Sequence, residues 1–95
     1  MNYHFVWDKN KASRNRRKHG VSFDEARTVF SDPLARIFDD EDHSSVEHRE
    51  IIIGHSAAQR LLIVSFTERQ DAIRIIGARL TTNRERKDYE ENVFL

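Results

Sequence analysis

Three apolar runs separated by short links most constrain the fold of this 95-residue chain. The runs are "HREIIIG" at 48–54, "RLLIVSF" at 60–66 and "AIRIIGARL" at 72–80, and the links are "HSAAQ" and "ERQD". Such short links join antiparallel strands, because a parallel crossover needs roughly a dozen residues or more. Apolar residues occupy both parities along part of each run, so we expect strands that are covered on both faces. The sequence therefore predicts an antiparallel sheet at the centre of the fold.

Helix signals lie on both sides of these runs. Asp8 is a good N-cap, and helix-favouring residues follow it through Lys18, before Gly20 supplies a left-handed C-cap. A second helix begins at Ser22 with the capping box "SFDE", and "SDP" at 31–33 ends it. A third helix begins near Thr82, whose capping-box partner is Glu85, carries "RERKDYEE" and ends in "NVFL". We favour a core position over base stacking for the tyrosine of that helix.

The predicted architecture is an α+β layer fold in one domain over residues 1–95. It has a short N-terminal strand at 3–7, two helices, an antiparallel sheet of about four strands that includes 34–38, and a C-terminal helix. The sequence has no cysteine, so disulfides and thiolate zinc sites are excluded. The apolar runs are too short to span a bilayer, and no apolar signal core begins the chain. We expect a soluble cytoplasmic protein that needs no cofactor.

Charge is distributed unevenly although the formal net charge is zero. Residues 1–20 carry six cations against one carboxylate, whereas residues 32–50 carry two arginines against seven carboxylates. Lys11, Asn15 and Lys18 share one face of the first predicted helix, and His19 lies beside them. Such a face can neutralise phosphates, donate hydrogen bonds and exchange a proton, or it can simply be solvated.

The hairpin around Gln70 carries a carboxylate and two arginines. If the turn is centred near Gln70, Glu68 and Arg74 are diagonal neighbours on one face of the sheet. Arg79 has the opposite parity to Arg74, so it shares that face only if the strand is bulged, and Gly77 marks the expected place for a bulge. The simpler interpretation of Glu68 and Arg74 is a cross-strand ion pair.

An acidic stretch, "DDEDH" at 39–43, offers oxygen ligands and an imidazole, with His48 nearby. It lacks the glycine and the spaced ligands of a calcium loop. A solvated acidic loop is the favoured interpretation, and no metal site is predicted.

Several segments together resemble the BrnT-type toxins of bacterial toxin–antitoxin pairs. They are "FVWDKNKASRNRRKHGVSFDEARTVFSDP", "HREIIIG", "LLIVSFTER" and "RIIGARLTTNRERKDYE", and the likeness runs from about Phe5 to Tyr89. The joint pattern comprises tryptophan–aspartate, lysine–histidine–glycine, aspartate–proline, glutamate–arginine and a strand that ends in alanine–arginine. One departure is Gly77, where the family often has serine.

The resemblance implies a RelE-like fold and a metal-independent endoribonuclease that blocks translation. It also implies a BrnA-type ribbon-helix-helix antitoxin, with operator DNA bound only by the toxin–antitoxin complex, for which a heterotetramer is one arrangement. RNA cleavage without a metal needs a base, an acid and cations that hold the developing phosphorane charge. The candidates for phosphate binding are Arg74 and Arg79, and those for proton transfer are Glu68 and His19. The candidates for RNA binding are Lys11, Asn15 and Lys18.

The sequence is also compatible with two other classes of function. The first two helices resemble a DNA-reading helix-turn-helix, but the second helix carries Asp24 and Glu25 near its start, where they would face phosphates. DNA binding by the chain alone therefore ranks second. The third class is a non-catalytic interaction module that docks a partner through the final helix, which is rich in both signs of charge.

Overall fold

A computed structural model describes residues 3–43 and 47–92. The strands are β1 (His4–Val6), β2 (Arg36–Asp39), β3 (Glu50–His55), β4 (Leu61–Arg69) and β5 (Ala72–Leu80). The helices are α1 (Lys9–His19), α2 (Phe23–Thr28) and α3 (Asn83–Glu91), and short 3-10 turns cover Val29–Ser31 and Glu41–His43. The predicted α+β class and element order are confirmed; the last residues of the "NVFL" ending and the middle of the loop at 39–47 lie outside the described residues.

The five strands form one mixed sheet in the order β1-β5-β4-β3-β2. Strands β2 to β5 are antiparallel to their neighbours, as the short links predict, whereas β1 pairs in parallel with β5 through His4–Val6 against Ala72–Arg74. The N-terminal strand therefore extends the predicted four-stranded sheet to five. Because β1 covers only the start of β5, the rest of that edge is left for α1.

The two faces of the sheet are covered by different helices. On the first face, Val21, Phe23, Ala26 and Val29 pack against alternate residues of β3, β4 and β5 and form the larger core. On the second face, a smaller cluster of Ile53, Leu61 and Ile63 packs against Tyr89 of α3. The hydroxyl of Tyr89 also donates to the carbonyl oxygen of Leu34 at 3.0 Å. Tyr89 is therefore half-buried against the core, and packing is its observed role.

The predicted helix caps are confirmed, except that the Glu25 carboxylate does not close the capping box at α2. Asp8 accepts from the amide of Asn10, and Gly20 adopts φ 69° at the end of α1. Thr82 and Glu85 form a complete capping box at α3. In the box predicted at α2, Ser22 accepts from the amide of Glu25, but the Glu25 carboxylate binds Arg60 instead. A distant cation competes successfully for that carboxylate.

The register of the β4–β5 hairpin corrects one prediction and confirms another. Arg74 pairs with Thr67 and Glu68 pairs with Ile73, so Glu68 and Arg74 lie on opposite faces of the sheet. The predicted diagonal contact is wrong because the turn is centred between residues 70 and 71, and a shift of one residue reverses the face. The predicted bulge is present: Ser65 pairs with Gly77 and Phe66 with Ile75, which leaves one extra residue on β5. Arg74 and Arg79 therefore share the second face.

The second helix is short. It spans six residues before the 3-10 turn, and both Phe23 and Ala26 are buried in the core. Its exposed side carries an ion pair between Asp24 and Arg27. No helix within residues 3–43 and 47–92 is long and apolar enough to cross a membrane.

Candidate active site

A cavity of about 330 Å³ lies where α1 meets the second face of the sheet. Its volume is at the lower end of the roughly 300–1,000 Å³ that ligand pockets occupy. It combines an apolar floor with polar and charged walls. The lining residues are Asn15, His19, Asp40, Ile51, Ile63, Ser65, Gly77, Ala78 and Arg79. Three residues predicted from the sequence are thus brought together: Asn15 and His19 come from α1, and Arg79 comes from the distant β5.

Asn15 attaches α1 to the open edge of β5. Its side-chain Nδ2 donates to the carbonyl oxygens of Ala78 at 2.8 Å and Val21 at 3.0 Å, and its Oδ1 accepts from the amide of Ala78 at 3.1 Å. The carboxamide thereby takes the place of a neighbouring strand. Both N–H groups of Nδ2 are used, so Asn15 holds the helix against the cavity and has no donor left for RNA.

The floor of the cavity follows the pairing of three strands. Ile51, Ser65 and Gly77 lie side by side across β3, β4 and β5, and Ile63 pairs with Arg79 in the next row. A Cβ atom built on Gly77 would meet only Asn15 Oδ1, at 3.8 Å. The position is therefore open toward the cavity, and a serine there would fit without displacing a neighbour.

Arg79 is held by the first turn of α3. Its Nη1 donates to Glu85 Oε1 at 2.8 Å and its Nη2 to Glu85 Oε2 at 3.0 Å. This hydrogen-bonded pair raises the pKa of Arg79 and, with further bonds from Thr82, lowers the pKa of Glu85 to about 2. Both groups are therefore charged across the neutral pH range, and Glu85 fixes the guanidinium at the wall of the cavity.

The other predicted site residues lie outside the cavity lining. Arg74 is half-buried on the same face as Arg79, beyond the bulge, and forms no ion pair among the described residues. Lys11 is half-buried and Lys18 is exposed on α1. Within residues 3–43 and 47–92, no cation of this helix forms an ion pair, so its positive charge is free to attract a polyanion.

Glu68 belongs to a different cluster, on the first face of the sheet. Burial, and next the charge of Glu68, raises the pKa of Glu50. Asp39, His48 and Glu50 hold their ligand atoms within 4.8 Å of one another, and His48 Nε2 lies 3.1 Å from Asp39 Oδ1. These side chains could geometrically hold a cation, but they lie on the face opposite Ser65 and Gly77. Any ion held there would be separated from the cavity by the sheet.

A larger depression of about 640 Å³ lies at the β3–β4 turn. His55 and Arg27 also line it, but two of its polar side chains already serve the fold. Thr28 Oγ1 accepts from the amide of Ala57 at 2.8 Å, and Asp32 Oδ2 accepts from the amide of His55 at 2.7 Å. These bonds hold the turn against α2 and the segment after it. The smaller cavity, which combines an imidazole with a fixed guanidinium, is the better candidate for chemistry.

Sequence reasoning missed three residues of the site. Asp40 was assigned to a solvated acidic loop, Ser65 to the interior of a strand, and Glu85 only to a helix cap. The alternation along β4 could have suggested Ser65, because it is the polar residue in an apolar run. The local sequence carries no signal for the other two, since their role depends on what the sheet brings beside them.

Comparison with known protein families gives the class of this fold: it is that of a ribonuclease toxin of a type II toxin–antitoxin system. A family model described as "Ribonuclease toxin, BrnT, of type II toxin-antitoxin system" matches residues 7–85, and the chain belongs to this family. The fold is similar to the crystal structure of the Brucella abortus ribonuclease toxin BrnT, with a TM-score of 0.66 and 22% sequence identity. That match covers 86% of this chain and 100% of the Brucella chain. A comparison with curated proteins finds no match.

Proposed function

We propose that this toxin is a metal-independent endoribonuclease that inhibits translation by cutting RNA at the cavity between α1 and the sheet. The observation that carries the proposal is the meeting of His19 and Arg79 in one cavity. The cations of the adjoining helix, which form no ion pair with the residues that the structure describes, add to it, because RNA must be drawn to the cavity before it is cut. Family membership supplies the reaction class.

The proposed reaction is an attack of a ribose 2′-hydroxyl on the neighbouring phosphorus. The hydroxyl loses its proton to a base, charge builds up on the phosphorane oxygens, and the 5′-oxygen leaves with a proton from an acid. His19 transfers a proton, since a histidine can act as acid or base near neutral pH. Arg79 binds the phosphorane oxygens, and Arg74 on the same face contacts a neighbouring phosphate.

A second titratable group is needed to complete the proton transfers. Glu68 was the carboxylate expected from the sequence, but the sheet separates it from Arg79. Asp40 lines the same cavity as His19, and we assign the second proton transfer to it. Lys11 and Lys18 guide the RNA strand along α1, and Asn15 supports the helix.

Cleavage by the purified toxin is expected to continue in EDTA. In the proposal every charge that the transition state needs comes from side chains, and the carboxylate–histidine cluster at Asp39 lies across the sheet. The measurement is the rate of cutting of a defined RNA with EDTA and with added Mg²⁺. Suppression of the activity by the antitoxin serves as a control for contaminating nucleases. A strict requirement for a divalent ion would refute the metal-free mechanism.

The antitoxin belongs to the same proposal. Membership of a type II family implies a protein partner, and we propose a ribbon-helix-helix antitoxin of the BrnA type. The complex, which we propose to be a heterotetramer, would bind operator DNA through the antitoxin.

Replacing Lys11 and Lys18 together by glutamine is expected to weaken RNA binding at low salt and to flatten its salt dependence. Each phosphate contact on a single strand contributes about 0.7 to the slope of log affinity against log salt, so the pair should contribute roughly 1.4. The slope is measured by titrating a labelled RNA at several salt concentrations. A matched control replaces two cations away from α1, Arg27 and Lys87. An equal effect of both double variants would show that α1 is no RNA path.

A further inference from the structure

One edge of the Arg79 guanidinium is unused. Its Nη1 donates to Glu85 Oε1 at 2.8 Å and to the carbonyl oxygen of Leu80 at 3.2 Å, and its Nη2 donates to Glu85 Oε2 at 3.0 Å. Among the described residues, Nε–H and the second N–H of Nη2 have no acceptor. These two N–H bonds are parallel and lie on the same side of the planar group. They form a fork that matches two oxygens of a phosphate.

Glu85 is itself held in place. The Thr82 hydroxyl only caps the helix, by accepting from the amide of Glu85 at 3.1 Å. The carboxylate itself is held by the backbone, because its Oε1 accepts from the amide of Thr82 at 2.8 Å. The carboxylate is therefore anchored to the first turn of α3, where the helix dipole also favours a negative charge. Because this anchored carboxylate accepts from both terminal nitrogens of Arg79, the guanidinium has little rotational freedom.

We propose that Glu85 is a positioning residue, which holds Arg79 by its terminal nitrogens so that the Nε–Nη2 edge receives the phosphate of the RNA. The inference rests on the proposed function. It assigns to α3 a role in the site that helix capping alone does not require. If the two N–H donors of Arg79 are already oriented before RNA binds, the long side chain does not have to be ordered during the reaction. Misplacement of such a group by about 1 Å can cost roughly 100-fold in rate.

The variant that separates orientation from capping is Glu85→Gln. Its side-chain oxygen can still accept from the amide of Thr82, but its NH₂ group would face Nη2 of Arg79, donor against donor. We expect kcat to fall about 10- to 100-fold, with a smaller change in KM. The reason is that the misplaced guanidinium loses more binding energy to the transition state, where the phosphate carries the most charge, than to the bound substrate.

Thr82→Ala is the matched control. It removes the hydroxyl that accepts from the amide of Glu85, weakens the same helix cap and leaves both carboxylate oxygens in place. We expect a lowered melting temperature with unchanged kcat. If Thr82→Ala lowers kcat as much as Glu85→Gln does, the role of Glu85 is only to cap the helix, and the inference is overturned.

A double-mutant cycle tests whether the two residues act together. In an Arg79→Ala background, Glu85→Gln should cause no further loss of activity, because the group that it positions is absent. Equal losses in both backgrounds would show independent action and overturn the inference. A rise in activity of Glu85→Gln alone would do the same, since it would mean that Glu85 restrains Arg79 from RNA.

A binding measurement keeps this inference separate from the proposed cleavage. The Nε–H resonance of Arg79, assigned by its loss in Arg79→Lys, should shift when an uncleavable 2′-O-methyl RNA is added to the intact toxin. In Glu85→Gln the shift should shrink. Absence of any shift in the unmodified protein would overturn the inference even if RNA is cleaved. A shift in a protein that cleaves no RNA would refute the proposed function alone.

Discussion

Replacing Arg79 by alanine is expected to lower the rate of RNA cleavage about 100-fold or more. The guanidinium lines the cavity, and its Nε–Nη2 edge has no acceptor within residues 3–43 and 47–92. Loss of one donor to a developing oxyanion costs roughly that factor in other enzymes. Arg79→Lys should restore little, because an ammonium keeps the charge but lacks the planar fork. Arg74→Ala is expected to show a loss of similar size, since the bulge places Arg74 on the same face. The measurement is single-turnover cleavage of a defined RNA.

Folding has to be followed in the same variants. Arg79→Ala leaves the Glu85 carboxylate without its main partner, so a modest loss of stability is expected. Arg84→Ala is a matched control, because Arg84 is a nearby arginine whose side chain is 87% exposed. Its ion pair with Asp88, at 3.7 Å, lies on the surface and contributes little to stability. It should keep full activity. Loss of cleavage in proportion to the unfolded fraction would mark Arg79 as structural and remove it from the mechanism.

Replacing His19 by glutamine is expected to lower kcat by about 100-fold or more while RNA binding stays nearly intact. General acid–base catalysis by one side chain typically contributes roughly 10²–10⁴-fold. His19 ends α1 and lines the cavity together with Gly77. One limb of the pH–rate profile should disappear, because glutamine does not titrate. The measurement is kcat across the pH range with RNA affinity determined in parallel.

His4→Gln provides the control, because His4 is an exposed histidine on β1 and does not line the cavity. It should leave both the rate and the shape of the pH profile unchanged. If His19 only packs at the end of α1, His19→Gln would lower the melting temperature and leave the shape of the profile as it was. That result would exclude His19 from proton transfer and leave Asp40 as the candidate for it.

Local features of the chain were predictable because their physics is local. Asp8, Gly20 and Thr82 mark helix ends through bonds to residues only a few positions away. The apolar runs with short links determine an antiparallel sheet, and the position of Gly77 between two arginines indicates the bulge. These signals, with the family resemblance, determined the class of fold and the expectation of a ribonuclease toxin.

The tertiary structure decided which side chains meet, because a strand carries no signal for its own register. A turn centred half a residue further along places Glu68 on the face away from Arg79. The capping carboxylates show the same limit: Glu25 binds Arg60, from the end of a distant link, and Glu85 binds Arg79 besides closing its cap. Which partner such a carboxylate takes depends on what the sheet brings beside it. The sequence by itself therefore determined the elements and the family, and the pairing of strands and the docking of α1 decided the composition of the site.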